Sequence, residues 1–160
     1  MLFFSAKTFC MKKFILLLSS IMMLKFVGAQ NLDDHLWKDR VILLFASSPQ
    51  QPHFQEQLGI LTKEAEEVTA RELVLYTIFP ERGQQPGGGA LSFTQARGLF
   101  HTYGITPGAG FAFLLIGKDG TEKLRKKEPV SAQELFSLID SMPMRQAEMR
   151  RKRREGDEKK

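Results

Sequence analysis

Three uninterrupted apolar runs constrain this chain more than any other feature. They are Val41-Ile42-Leu43-Leu44-Phe45-Ala46, Leu73-Val74-Leu75-Tyr76-Thr77-Ile78-Phe79 and Phe111 to Ile116. Each is too short for a typical helix and lacks the polar alternation of a strand with one wet face. Each is also bounded by charged or turn-forming residues. Such runs read as strands buried on both sides, which requires helices above and below a sheet. The intervening segments supply those helices. Phe54, Leu58, Leu61, Ala65 and Val68 recur at steps of four and three, forming one apolar stripe. Phe93, Ala96, Phe100 and Tyr103 mark a second stripe, which Gly104 ends. Leu135, Leu138, Ile139 and Met142 mark a third, opened by Ser131 and Glu134 in the spacing of a capping box.

Between the second run and the second helix, residues 81–91 hold Gly83, Pro86 and Gly87-Gly88-Gly89. They read as a mobile surface loop, since the Gly-Lys-Ser/Thr ending of a phosphate loop is missing. After the third run, Gly117-Lys118-Asp119-Gly120 signals a hairpin turn, and Thr121 to Arg125 alternates as an edge strand. Asn31 to Trp37 reads as a short helical turn before the first strand. The element order is therefore β-α-β-α-β-β-α. The first two strands form a right-handed parallel crossover and the last two an antiparallel hairpin. This order is that of a thioredoxin-like α/β sandwich in three layers, with a central mixed four-stranded sheet.

Charge divides the 160-residue chain into three parts. The formal net charge is +5, but residues 30–144 hold 11 bases and 14 acids. The excess of positive charge comes from residues 1–29, with Lys7, Lys12, Lys13 and Lys25, and from residues 145–160, with eight bases and four acids. A nucleic-acid-binding domain should carry its basic surface on the folded body, so that class is disfavoured. Met11-Lys12-Lys13, the apolar run Phe14–Leu24 and the small residues Val27-Gly28-Ala29 read as a signal peptide cleaved after Ala29, with Met11 as a possible true start. The expectation is an exported protein, periplasmic or secreted. The domain would span 30–144 and a charged tail 145–160. The single cysteine, Cys10, falls in the leader, so the processed chain would have no thiol chemistry.

The stretches Leu32–Pro49, Phe113–Gly120 and Ile139–Arg145, with its Met-Pro-Met-Arg ending, resemble the DUF4174 family. That family is a peroxiredoxin-like, thioredoxin-fold domain of unknown function, also found in animal extracellular proteins with sushi repeats and in related matrix-associated proteins. The resemblance covers about residues 32–149 and implies the fold. It carries no catalytic residue. Working thioredoxins and peroxiredoxins place a cysteine just after the first strand, where a helix N-terminus stabilises the thiolate. Here Ser47-Ser48-Pro49-Gln50-Gln51-Pro52 occupies that stretch. A serine hydroxyl ionises far above neutral pH, and a helix dipole worth about 0.3–1 kcal/mol shifts a pKa by less than one unit. Pro107 lies too early for the cis-proline usual before the third strand, and Gly110 stands at that place.

His35, His53 and His101 lie in separate elements and form no metal-ligand spacing, so neither metal nor cofactor is expected. Ser47 or Ser48 with His53 is the one local candidate for a serine hydrolase, but the sharp Gly-x-Ser-x-Gly turn is missing. The expected role of Ser47 or Ser48 is to cap the following helix, where they could also hold an anion. Arg150, Arg151, Lys152, Arg153 and Arg154 form a basic run, expected to be solvated and frayed beyond Met149. Through it the protein could attach to an acidic polymer, a membrane surface or an envelope protein. The leading expectation is a non-enzymatic binding or adhesion-type module. An accessory or degenerate peroxiredoxin-like redox protein is the alternative from another class.

Overall fold

A computed structural model describes residues 30–157. The proposed leader, Met11, Cys10 and the cleavage site after Ala29 lie outside the described residues. The chain runs through helix α1 (Gln30–Asp33), strand β1 (Arg40–Phe45), helices α2 (Pro52–Lys63) and α3 (Ala65–Ala70) and strand β2 (Leu73–Ile78). Strand β3 (Gly83–Gln84), a 3-10 turn (Pro86–Gly88), strand β4 (Ala90–Leu91) and helix α4 (Phe93–Thr102) follow. Strands β5 (Ala112–Ile116) and β6 (Glu122–Lys126) precede helices α5 (Ala132–Ser141) and α6 (Pro143–Asp157).

The sheet has the order β4-β3-β2-β1-β5-β6. Strand β1 pairs in parallel with β2 and antiparallel with β5, so it lies at the centre of a mixed sheet. Every β1 residue is buried, as a continuous apolar run requires. Alternate residues feed two cores. Ile42, Leu44 and Ala46 pack with Phe54 and Leu61 of α2 and with Leu135 and Ile139 of α5. Val41, Leu43 and Phe45 pack against Ala96 and Phe100 of α4, with the Phe45 and Phe100 rings 5.0 Å apart. The three-layer sandwich expected from the sequence is present.

The sheet has six strands rather than four. The two extra strands lie in the segment read as a mobile loop. Gly83 makes them possible: a Cβ there would sit 2.4 Å from the Thr77 carbonyl oxygen, so only glycine lets β3 approach β2. The pairing is short, Thr77 with Gln84 and Ile78 with Gly83, and a two-residue strand leaves no hydrophobic pattern to read.

Other local readings are modified rather than lost. The first apolar stripe is split into α2 and α3 at Glu64, which adopts φ −105° and ψ 30°. Ser131 accepts the Glu134 N–H at 3.2 Å, but only that half of the capping box forms, because the Glu134 carboxylate pairs with Lys126 at 3.2 Å. The hairpin turn closes as expected, with Gly120 at φ 75° and the Gly117 N–H donating to the Thr121 carbonyl at 2.9 Å. Trp37 stands at φ 63°, held there by its N–H, which donates to the Lys118 carbonyl at 2.7 Å; its indole is 67% exposed.

Candidate functional site

The corner after β1 is the place where this fold would carry a reactive thiol, and it holds Ser47 and Ser48. Neither serine caps α2. The helix starts at Pro52, its N-cap is Gln51, and no side chain caps it. Pro52 causes this shift. A residue before proline is biased away from helical backbone, and Gln51 is extended at φ −61° and ψ 129°. The Gln51 N–H closes a turn onto the Ser48 carbonyl at 3.2 Å, which leaves both hydroxyls short of the helix. Pro52 also removes one of the amide donors that an anion would use. Ser47 and Ser48 instead line an open cleft of about 480 Å³ with Phe79, Pro80, Glu81 and Arg82.

No hydrogen bond joins Ser47 or Ser48 to His53, whose ring packs edge-on against Phe111 at 6.0 Å. A serine nucleophile needs such a base in reach. His101 lies near the end of α4 and is exposed. His35 is differently placed. Its Nδ1 lies 2.7 Å from Asp39 Oδ2 and its Nε2 lies 2.9 Å from the Tyr76 hydroxyl. Burial, with Asp34 and Asp39 nearby, pushes the Tyr76 phenol up to about 12. Among the described residues, no group of three or more His, Cys, Asp or Glu side chains could hold a metal ion, and no helix is long and apolar enough to cross a membrane.

The largest concentration of buried charge lies at the opposite end of the sheet, roughly 20 Å away along the six-residue β1. Arg40, the first residue of that strand, is 1% exposed. Its guanidinium donates to both carboxylate oxygens of Glu148, at 3.0 and 3.3 Å, and to the Arg71 carbonyl at 2.9 Å. Lys118, also buried, reaches Glu148 at 2.8 Å and pairs with Glu72. Arg145 donates to the Ala70 carbonyl at 3.0 Å and to Asp140 at 3.2 Å. Arg71 grips the same Asp140 with two donors, at 2.6 and 3.1 Å, and lies over the Phe136 ring. Burial alone would raise the Glu148 carboxyl, but the hydrogen bonds from Lys118 and Arg40 prevail and hold it below its ordinary range. Asp140 is lowered in the same way by Arg71 and Arg145 against its own burial.

Arg145 and Glu148 come from α6, so the folded body does not end at Met144. The basic segment also differs from the frayed tail expected. Helix α6 continues through Arg150, Arg151, Lys152, Arg153 and Arg154 to Asp157, with all five bases exposed. The helical form sorts them. At 100° per residue, Arg150, Arg151, Arg153 and Arg154 fall within an arc of roughly 160°, opposite the face carrying Arg145 and Glu148. Lys152 falls on the anchored side. The buried pairs therefore fix the face from which four arginines project, Arg151 lying 3.6 Å from Glu155 on the same helix.

Lowered carboxyl values set the direction of the acid response. The native state keeps Glu148 and Asp140 ionised at pH values where the unfolded chain takes up protons. Their contribution is complete above the ordinary glutamate value of 4.5 and is lost as pH falls through the lowered native values. Asp119, held at about 2 chiefly by a hydrogen bond from Lys123, extends the loss to lower pH. Urea midpoints measured from pH 7 to pH 2 are expected to fall below pH 4.5, and less steeply in Glu148→Gln relative to its own value at pH 7.

Comparison with known proteins agrees with this architecture. The model of the family described as a domain of unknown function (DUF4174) matches residues 31–148. No curated protein sequence matches the chain. Among solved structures, the reduced 2-Cys peroxiredoxin of Plasmodium vivax is similar at 17% identity and a TM-score of 0.51, over 69% of this chain and 80% of that one. Thioredoxin peroxidase I of Plasmodium yoelii is similar at 18% identity and a TM-score of 0.49, over 69% and 76%. The first of these likenesses supports the fold and says nothing of activity.

Proposed function

The chain belongs to the DUF4174 family, and from that premise we propose that it is an exported, non-enzymatic binding module that attaches to acidic polysaccharide through α6. One observation carries the reading: α6 is held at its root by Arg145 and Glu148 and presents Arg150, Arg151, Arg153 and Arg154 on its free face. Guanidinium groups recognise carboxylate and sulfate with paired donors, and a row of them suits a polymer with repeating charge. A membrane surface is the poorer fit, because a helix lying on lipid needs an apolar face and residues 150–157 have none. Export rests on the leader pattern of residues 1–29. The absence of enzymatic chemistry rests on the corner after β1, where two serines without a positioned base replace a thiol.

The test is salt elution of the full chain from immobilised dextran sulfate and polygalacturonate, beside anionic phospholipid vesicles. Retention is expected to fall with salt. Each arginine replaced by alanine is expected to weaken binding by up to about fivefold. The Lys152→Ala variant should change little. Equal retention of the variant lacking all four arginines would overturn the reading, as would binding to vesicles alone. Peroxide consumption that depends on Cys10 would return the protein to redox chemistry.

A further inference from the structure

Exposed apolar side chains gather at one turn. Among the described residues, the large hydrophobic side chains most open to solvent are Leu36, Trp37, Phe93 and Met144. Three of the four meet the hairpin between β5 and β6. Leu36 lies against Gly120, where a Cβ would come within 2.8 Å of its Cδ2. The Trp37 N–H donates to the Lys118 carbonyl, and Met144 lines a small cavity with Gly117, Lys118 and Asp119. Trp37 stands furthest out, and its backbone is strained. A φ of 63° suits glycine or asparagine, and an aromatic residue adopts it only where its surroundings hold it there. Burial does not offset that strain, because the indole stays mostly in water. The turn around it is nonetheless closed. The His35 carbonyl accepts from both Lys38 and Asp39 at 3.0 Å, and His35 Nδ1 lies 2.7 Å from Asp39 Oδ2. A flat apolar group is thus set in water on a fixed loop, the arrangement of a preformed contact rather than of a core residue.

Lys118 links this group to α6. Its carbonyl holds Trp37, and its ammonium reaches Glu148, two residues before Arg150. Two hydrogen bonds and one lysine side chain therefore separate the Trp37 backbone from the Glu148 backbone, a span of at most roughly 20 Å. A polymer a few sugar rings long covers that distance. We propose that the Trp37 indole stacks on a ring of the acidic polysaccharide held by Arg150, Arg151, Arg153 and Arg154, with Leu36 beside it. This contact rests on the binding of that polymer by α6, and salt does not screen it. The chemistry matches. The indole face is electron-rich, and a pyranose ring presents a face of C–H groups with its hydroxyls around the rim. A lipid surface needs a continuous apolar face, and Lys38, Asp119 and Lys123 interrupt this one. A second copy seated here would bring its own row of arginines towards these.

The probes are an oligogalacturonate and polyaspartate, which carries similar charge without sugar rings, each titrated against the full chain and followed by amide and indole NMR. Oligogalacturonate is expected to shift the Trp37 indole N–H and the α6 amides. Polyaspartate is expected to shift the α6 amides alone. The informative variant is Trp37→Gly, since glycine accepts φ 63° without strain and the fold should persist. It should weaken oligogalacturonate binding by about fivefold, equally at low and high salt, and leave polyaspartate binding as it was. Trp37→Phe should restore part of the loss. An unmoved indole at saturating oligogalacturonate, or an unchanged affinity in Trp37→Gly, would overturn the proposal while α6 binding stood. If the variant lacking the four arginines still bound oligogalacturonate and shifted the indole, the α6 reading would fall and the stacking contact would remain. Binding of neither probe would end both. Dimerisation that Trp37→Gly abolishes would replace the sugar with a second copy.

Discussion

Alanine at position 148 is expected to destabilise the fold by about 3–5 kcal/mol, the range for breaking a buried ion pair. The reason is what remains. Arg40 is 1% exposed and Lys118 is buried, so removing Glu148 leaves two cations with little water to replace the carboxylate. The Arg71 carbonyl still accepts from Arg40, and Glu72 still pairs with Lys118, but Glu72 is half in solvent and lies 4.0 Å from Arg40. Urea unfolding followed by circular dichroism at pH 7 measures the loss. A change below about 1 kcal/mol would mean that Glu72 and water take over, as at an exposed pair. The variant should also release the root of α6, so its retention on dextran sulfate becomes a second readout.

The other large effect is expected at Gln57. This side chain is fully buried on α2, and its amide clasps the backbone of Val130. The Val130 N–H donates to Gln57 Oε1 at 2.6 Å, and Gln57 Nε2 donates to the Val130 carbonyl at 3.2 Å. Val130 precedes α5, so the clasp joins two helices of one layer through a strand-like pair. Leucine would fill a similar volume but leave both backbone groups dry and unpaired. Each unsatisfied group costs about 1–3 kcal/mol, so Gln57→Leu should lose about 2–6 kcal/mol. A neutral result would show that water enters between α2 and Val130.

Both residues mark where the sequence stops being legible. Continuous apolar runs announce β1, β2 and β5 because burial on both faces leaves no polar position. The stripes of α4 and α5 are equally plain. Gln57 lies three residues after Phe54 and four before Leu61, on the buried face of α2, but its chemistry says surface. Only the fold reveals that a backbone pair 73 residues away consumes its amide. Arg40 and Lys118 look like the polar punctuation that bounds a buried strand, and they become interior once α6 brings Glu148 over them. That helix could not be read as part of the body, since its outer half is almost wholly charged. The helix start after Ser48 was readable in principle. A helix capped by Ser48 would start at Pro49 and place Pro52 in its interior, where a missing N–H and a clash with the carbonyl four residues back oppose it. The extra strands were not readable, since they depend on how closely Gly83 approaches the Thr77 carbonyl.

The placement of Trp37 has an optical consequence. It is the only tryptophan in the chain, and its indole already stands mostly in water in the folded state. Its emission therefore has little distance to travel towards the red when the polypeptide unfolds, and melting curves recorded by intrinsic fluorescence would understate the transition. The same exposure makes the indole a good reporter for collisional quenchers and for molecules approaching the Lys118 turn, a use that needs no added dye.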